Sequence, residues 1–158
     1  MFAKLVEDGA VYQSRKPVQW SYGAYTALAE AEIDYKEKVS TSVFVRFPLL
    51  DNPLGLKASM VIWTTTPWTM PANVAIALHP DFEYAWVECE GEILFMAKEM
   101  LEAVGKVCKK DLSNIIGTCK GKDMEYAECR HPFETIDRKS LVVLADYVTL
   151  EAGTGCVH

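Results

Sequence analysis

Two prolines, Pro67 and Pro71, stand between a strand-like run ending at Trp63 and a second apolar run beginning at Val74, and they restrict what this chain can form more than any other feature. A proline cannot donate to a β ladder and biases the preceding residue toward extended backbone, so pairing must stop in this link and the backbone must splay. The link, Trp63 to Asn73 (WTTTPWTMPAN), crowds Thr64, Thr65, Thr66 and Thr69 into the bend. Backbone N–H groups freed from the ladder, with threonine hydroxyls beside them, can hold an oxyanion and a water together. On composition alone the plainer reading is a threonine-rich edge strand closed by a proline turn.

Short extended runs recur along the rest of the chain. Ile33 to Phe47 predicts one or two strands stopped by Pro48, with Val43, Val45 and Phe47 on one face at period two. Asp51 to Gly55 is a loop by turn chemistry, Ala58 to Trp63 a strand, and Val74 to Leu78 a buried strand ended by His79, Pro80 and Asp81. Tyr84 to Glu90 and Glu92 to Ala97 flank Gly91 as a hairpin. Met100, Leu101, Val104, Val107 and Cys108 fall at helical spacing and predict one amphipathic helix covering a sheet. Short strands resume from Gly117 through Glu128, again at Leu141 to Leu144, and finally over Val148 to His158. Ahead of all these, Leu5 to Ala31 is a mixed lead-in with the aromatics Trp20, Tyr22 and Tyr25 and a helix-prone stretch from Ala27 to Glu32. Many short strands at turn-marked intervals, with few helices, predict a mainly β fold that closes into a barrel.

At 158 residues, 50% of them hydrophobic and 24% charged, the chain can bury a core of its own. Its apolar runs are far shorter than the roughly 20 residues a bilayer requires, and Lys4, Glu7 and Asp8 interrupt any leader-like apolar stretch, so a cytoplasmic location with no membrane partner is expected. The formal net charge of −6 argues against bulk nucleic-acid binding, which depends on lysine and arginine displacing counterions from phosphates. A nucleic acid would have to be presented by other protein parts, with only its end entering here. The 5 cysteines lack any CxxC pair, and His131 beside Cys129 has no second pair, so reduced thiols and no metal are expected.

A second candidate site lies at GTGCVH, where Gly153 and Gly155 permit close backbone approach and His158 ends a short strand. A single histidine in such a place is usually solvated. The third glycine of a dinucleotide loop is replaced by His158, and there is no nucleophile elbow, no phosphate loop and no paired-histidine motif. Any hydrolysis must therefore proceed through an oriented, polarised water rather than a covalent intermediate.

The strings WTTTPWTMPANVAIALHP and VTLEAGTGCVH, with PVQWSYGAYTALAEAEIDYKEK before them, resemble the editing domain of isoleucyl-tRNA synthetase over nearly the whole chain. Leucyl and valyl relatives carry an arginine where this sequence has Thr66 and an acidic residue where it has Trp68, so those two positions favour the isoleucyl branch. The resemblance implies a closed β-barrel editing domain with peripheral helices over residues 32–158, and a junction from the catalytic body over residues 1–31. It implies hydrolysis of valine misattached to the isoleucine tRNA, with valyl-adenylate as a second substrate. No cofactor is implied for this domain; ATP and magnesium belong to a Rossmann-type synthetic domain outside these residues. The implied partners are the acceptor end of that tRNA, valine as ester or adenylate, and the remainder of the synthetase.

Residue by residue, the same resemblance makes Thr64, Thr65 and Thr66 the hydrolytic site. Thr69 and His158 would wall an amino-acid pocket, Asn73 would hold the bend, and Trp63 would lie against the terminal adenosine or beneath the loop. In relatives the histidine is followed by Pro-Gly-His-Gly and then an aspartate that anchors the substrate ammonium, whereas this sequence stops at His158. The expectation is a truncated fragment that folds but deacylates poorly. A non-catalytic module guiding a tRNA acceptor end is the rival reading, and an unrelated β-barrel peptidase lacks any nucleophile or carboxylate pair to support it.

Overall fold

A computed structural model describes residues 1–52 and 54–158; Pro53, within the expected 51–55 loop, lies outside the described residues. The chain divides into two compact units, Met1–Val39 and Ser40–His158. The first holds a helix α1 (Phe2–Glu7) and a two-stranded hairpin of β1 (Trp20–Ser21) and β2 (Thr26–Ala27). A 3-10 turn over Glu30–Glu32 replaces the longer helix expected from Ala27 to Glu32. None of its residues is buried.

In the second unit β3 (Val43–Pro48), β4 (Ala58–Thr64), β6 (Glu83–Cys89), β7 (Glu92–Ala97) and β8 (Ile115–Lys120) form one sheet in the order β3-β4-β7-β6-β8. A second sheet contains β5 (Ala75–Leu78), β9 (Glu128–Arg130), β10 (Lys139–Leu144) and β11 (Cys156–Val157), in the order β11-β5-β10-β9. Pairing is antiparallel except for β4 with β7 and β5 with β10. Phe47, Met60, Ile62, Tyr84, Trp86 and Phe95 fill the core, with the Tyr84 and Phe95 rings stacked at 5.4 Å.

The expected closed barrel is not found among the described residues. The sheets meet at one seam through a single Leu49–Cys129 bridge and a Leu50 N–H bond to the Glu128 carbonyl. At the other seam, Ala97 N–H reaches the Thr154 carbonyl at 2.9 Å. Neither seam becomes a ladder. Pro48 has no N–H to continue β3 across the first. At the second, Gly153 and Gly155 at φ +82 and +70 turn the backbone out of extended geometry, leaving β11 only 2 residues long.

Other expectations shift for local reasons. Ile33 to Ser42 forms no strand; Asp34, Lys36, Glu37 and Lys38 leave it no apolar face. The final segment is extended only over Cys156–Val157. The hairpin at Gly91 forms as expected, with Glu90 at φ 53 and Gly91 at φ 81, the left-handed pair of a two-residue turn matched to strand twist. A helix, α2 (Leu101–Cys108), follows a 3-10 turn over Lys98–Met100, and it buries Leu101, Val104 and Gly105. Val107, assigned to the inner face by spacing, is 70% exposed. Cys89, Cys129 and Cys156 are buried free thiols, and desolvation pushes Cys129 up to about 12.

Gly155 meets two restraints at once, because a Cβ there would lie 2.5 Å from the Ala97 Cβ while φ remains +70. Gly155→Ala should therefore lower unfolding free energy by about 1–3 kcal/mol or more, combining overpacking with left-handed strain. Gly91→Ala, with open space around it, should cost about 1 kcal/mol. Urea denaturation of the two variants gives the comparison; equal midpoints would mean that the Gly155 contact is not tight.

Candidate functional site

β4 ends at Thr64, and the link after it winds into a 3-10 helix over Pro67–Ala72, with Pro67 in its first turn and Pro71 inside it. The bend demanded by the prolines is thus helical rather than an edge strand. Thr64 is buried, and its Oγ1 accepts the Thr66 N–H at 3.1 Å and lies 3.2 Å from the Thr66 Oγ1. Thr69 donates its hydroxyl to the Thr66 carbonyl at 2.7 Å. Thr65 is exposed, and among the described residues its hydroxyl has no hydrogen-bond partner. Of the four hydroxyls, the one on Thr65 is free to meet a ligand.

Asn73 is buried where the helix ends. Its amide nitrogen donates to the Ala75 carbonyl at 2.8 Å, and its Oδ1 accepts from the fully buried Ser140 hydroxyl. That side chain holds the exit from the bend.

The loop before β11 closes the other side. Gly153 lies against the Trp63 indole, so close that a side-chain Cβ there would lie 3.2 Å from the ring, and Trp63 thus sits beneath this loop. Tyr84, fully buried, donates to the Gly155 carbonyl at 2.7 Å and accepts the His79 N–H at 3.0 Å. Burial raises its phenol well above the usual range, so it remains a donor.

Between these walls runs a cleft of about 920 Å³. Trp63, Thr64, Thr65, Thr66, Thr69, Asn73 and His158 all line it. His158 is partly buried, and desolvation lowers its imidazole below the ordinary value of 6.5, which favours the uncharged ring. Sequence reasoning missed Tyr147, Thr149, Glu151 and Thr154, which also line the cleft. Glu151 is its one carboxylate among the described residues. The string VTLEAGTG contained three of these four, but nothing in residue type alone separates them from ordinary turn residues. No cluster of three or more metal-ligating side chains occurs among the described residues.

A fold of two abutting sheets with a hydroxyl-lined cleft at their junction matches known proteins on two levels. The chain belongs to the class I tRNA synthetases: residues 1–140 match the family described as tRNA synthetases class I (I, L, M and V). Within that family it is similar to isoleucine–tRNA ligases. It is 48% identical over 166 aligned positions to the ligase of Caldicellulosiruptor saccharolyticus, covering 100% of this chain and 18% of that protein. It is 51% identical over 154 positions to that of Petrotoga mobilis, covering 98% and 16%. The chain therefore spans less than a fifth of the length of the relatives it matches.

Leucyl-tRNA synthetase editing domains are among the solved structures it resembles. The crystal structure titled GlLeuRS-CP1 gives a TM-score of 0.63 at 16% identity, covering 74% of this chain and 54% of that one. The Plasmodium knowlesi cytosolic leucyl-tRNA synthetase editing domain gives 0.62 at 10%, covering 78% and 58%. At such identities the likeness is one of fold alone, a mainly β architecture with few helices.

Two measurements check the geometry. Ser140→Ala removes the donor to the buried Asn73 Oδ1, and it should cost about 1–3 kcal/mol of unfolding free energy. An unchanged midpoint would show that another partner satisfies the amide. By NMR titration His158 should gain its proton only below the ordinary imidazole range. Because the folded form binds that proton less readily than the unfolded chain, the residue's stabilising contribution is present above the unfolded value. It is lost as pH falls through the lower folded value. A midpoint above 6.5 would contradict the burial of the ring.

Proposed function

We propose that this chain is the editing domain of an isoleucine–tRNA ligase, joined to the catalytic body through residues 1–31, and that it hydrolyses valine wrongly esterified to the isoleucine tRNA. Valyl-adenylate is a second candidate substrate. The observation that carries the reading is that the threonine link and His158 line one cleft, although they lie far apart in sequence, Trp63 to Asn73 against the residue that follows β11. One methylene contributes only about 1–3 kcal/mol of discrimination in an attractive pocket, a figure drawn from synthetases of this very kind rather than from this chain. A site that selects isoleucine by attraction leaks valine. A second cleft can refuse isoleucine by overlap, since overpacking a rigid wall also costs about 1–3 kcal/mol.

In this reading the terminal adenosine and its ester carbonyl lie along Thr64, Thr65 and Thr66, and the valine side chain lies toward Thr69 and His158. A bound water attacks the carbonyl carbon. Negative charge gathers on the carbonyl oxygen and is stabilised by the free Thr65 hydroxyl and nearby backbone N–H groups. Collapse breaks the ester C–O bond, the proton from water passes to the ribose oxygen, and valine leaves. Thr64 and Asn73, whose hydrogen bonds are spent internally, keep the link in shape; Trp63 supports it from beneath the glycine loop. The domain needs no metal or cofactor for this chemistry. ATP and magnesium serve synthesis elsewhere in the ligase.

In the full-length ligase, Thr65→Ala should lower valyl-tRNA deacylation by about 10²-fold or more, the usual effect of deleting one oxyanion donor. Thr69→Ala should also lower it and should let isoleucyl-tRNA be cleaved. Undiminished valyl-tRNA hydrolysis in both variants would overturn the assignment. A domain that only guides the acceptor end would show binding without hydrolysis in the unmodified protein.

A further inference from the structure

We propose that the segment linking β9 to β10 positions the threonine helix through His131 and Arg138, and so sets which amino acid the cleft admits; the proposal rests on the editing reading above. The helix over Pro67–Ala72 is weak by itself. It has 6 residues, no side-chain cap and an internal proline, Pro71, that removes a donor from a 3-10 ladder of already poor geometry. The second half of the link is held from outside. His131 Nε2 lies 2.9 Å from the Met70 carbonyl oxygen, the Arg138 guanidinium donates to the Pro71 carbonyl, and the Ser140 hydroxyl donates to Asn73.

The direction of the first bond follows from its neighbour. Phe133 N–H donates to His131 Nδ1 at 3.1 Å, so Nδ1 is an acceptor and Nε2 must carry the hydrogen that meets Met70. His131 and Met70 are both 1% exposed, and the imidazole is wedged edge-on against Phe47 and Phe133. The ring therefore has little freedom to give up this bond. Neither His131 nor Arg138 lines the cleft, so both act only through the backbone they grip.

Met70 follows Thr69 directly. Exclusion of an amino acid larger by one methylene requires a wall that does not yield by a fraction of a carbon radius. The peptide carbonyls fixed by His131 and Arg138 are those immediately after that wall. Releasing them lets the helix relax outward and admit the larger side chain, while the free Thr65 hydroxyl, at the far end of the link, is left in place.

The test compares deacylation of isoleucyl-tRNA with that of valyl-tRNA in the full-length ligase carrying this segment. The ratio of the two rates is unaffected by the fraction of protein folded, which a merely structural role would change. His131→Leu, which keeps bulk but loses the donor, should raise the isoleucyl-to-valyl ratio about tenfold or more. His131→Gln, whose amide can still donate to Met70, should restore the parent ratio. If His131→Leu yields no folded enzyme, Arg138→Met decides by the same ratio. A parent that cleaves valyl-tRNA and variants that keep its ratio would overturn the positioning role while leaving the editing reading intact. A parent that cleaves no valyl-tRNA would overturn both.

Discussion

The buried hydroxyl of Tyr84 locks together two distant parts of the chain that the β5–β11 pairing and the Ala97–Thr154 bond bring side by side. It donates to the Gly155 carbonyl across 71 residues of sequence and accepts the His79 N–H at the end of β5. A tyrosine placed this deeply must satisfy its hydroxyl or lose the stability its ring contributes, so the loop carrying Gly155 is held against β6 and β7. Gly155 has no room for a side chain there, and Gly153 rests on Trp63. With the β5–β11 pairing, these contacts hold His158 on the same cleft as the threonine link.

The site is polar in a particular way. The four threonines of the link are not equivalent: Thr64 and Thr69 spend hydroxyls on the link itself, Thr66 is tied to Thr64, and Thr65 has no hydrogen-bond partner among the described residues. A free donor on a rigid support can stabilise a developing charge, because little reorganisation is needed when the charge forms. Rigidity comes from behind, where Asn73, Ser140, His131 and Arg138 satisfy the link's exit. The uncharged imidazole favoured by His158 suits an apolar wall better than a cation would.

Features set by neighbouring residues were readable in advance. The hairpin at Glu90 and Gly91 needs only local turn chemistry, and β4 and β5 needed only apolar runs on either side of the two prolines. The face of α2 was misjudged at Val107 because spacing identifies a stripe without saying where its centre falls against the sheet. The barrel expected from strand count is not found among the described residues, since closure depends on edge geometry at Pro48 and at the two glycines rather than on the number of strands. The residues proposed for the site were found through a family likeness in short strings. Their supporting partners were not, because bonds spanning 61, 67 and 71 residues leave no mark on either local sequence.

By itself the amino-acid order determined where ladders must stop, which segments turn, and that a hydroxyl-rich bend would lie between two strands, because proline, glycine and β-branched residues act on the backbone at their own positions. Tertiary structure alone decided that this bend is a 3-10 helix with one free hydroxyl and that Trp63 lies beneath the glycine loop. It also decided that a histidine and an arginine from a distant hairpin grip the bend from behind. Those outcomes depend on which buried donors and acceptors find each other when the two sheets pack, a choice made by the whole core at once.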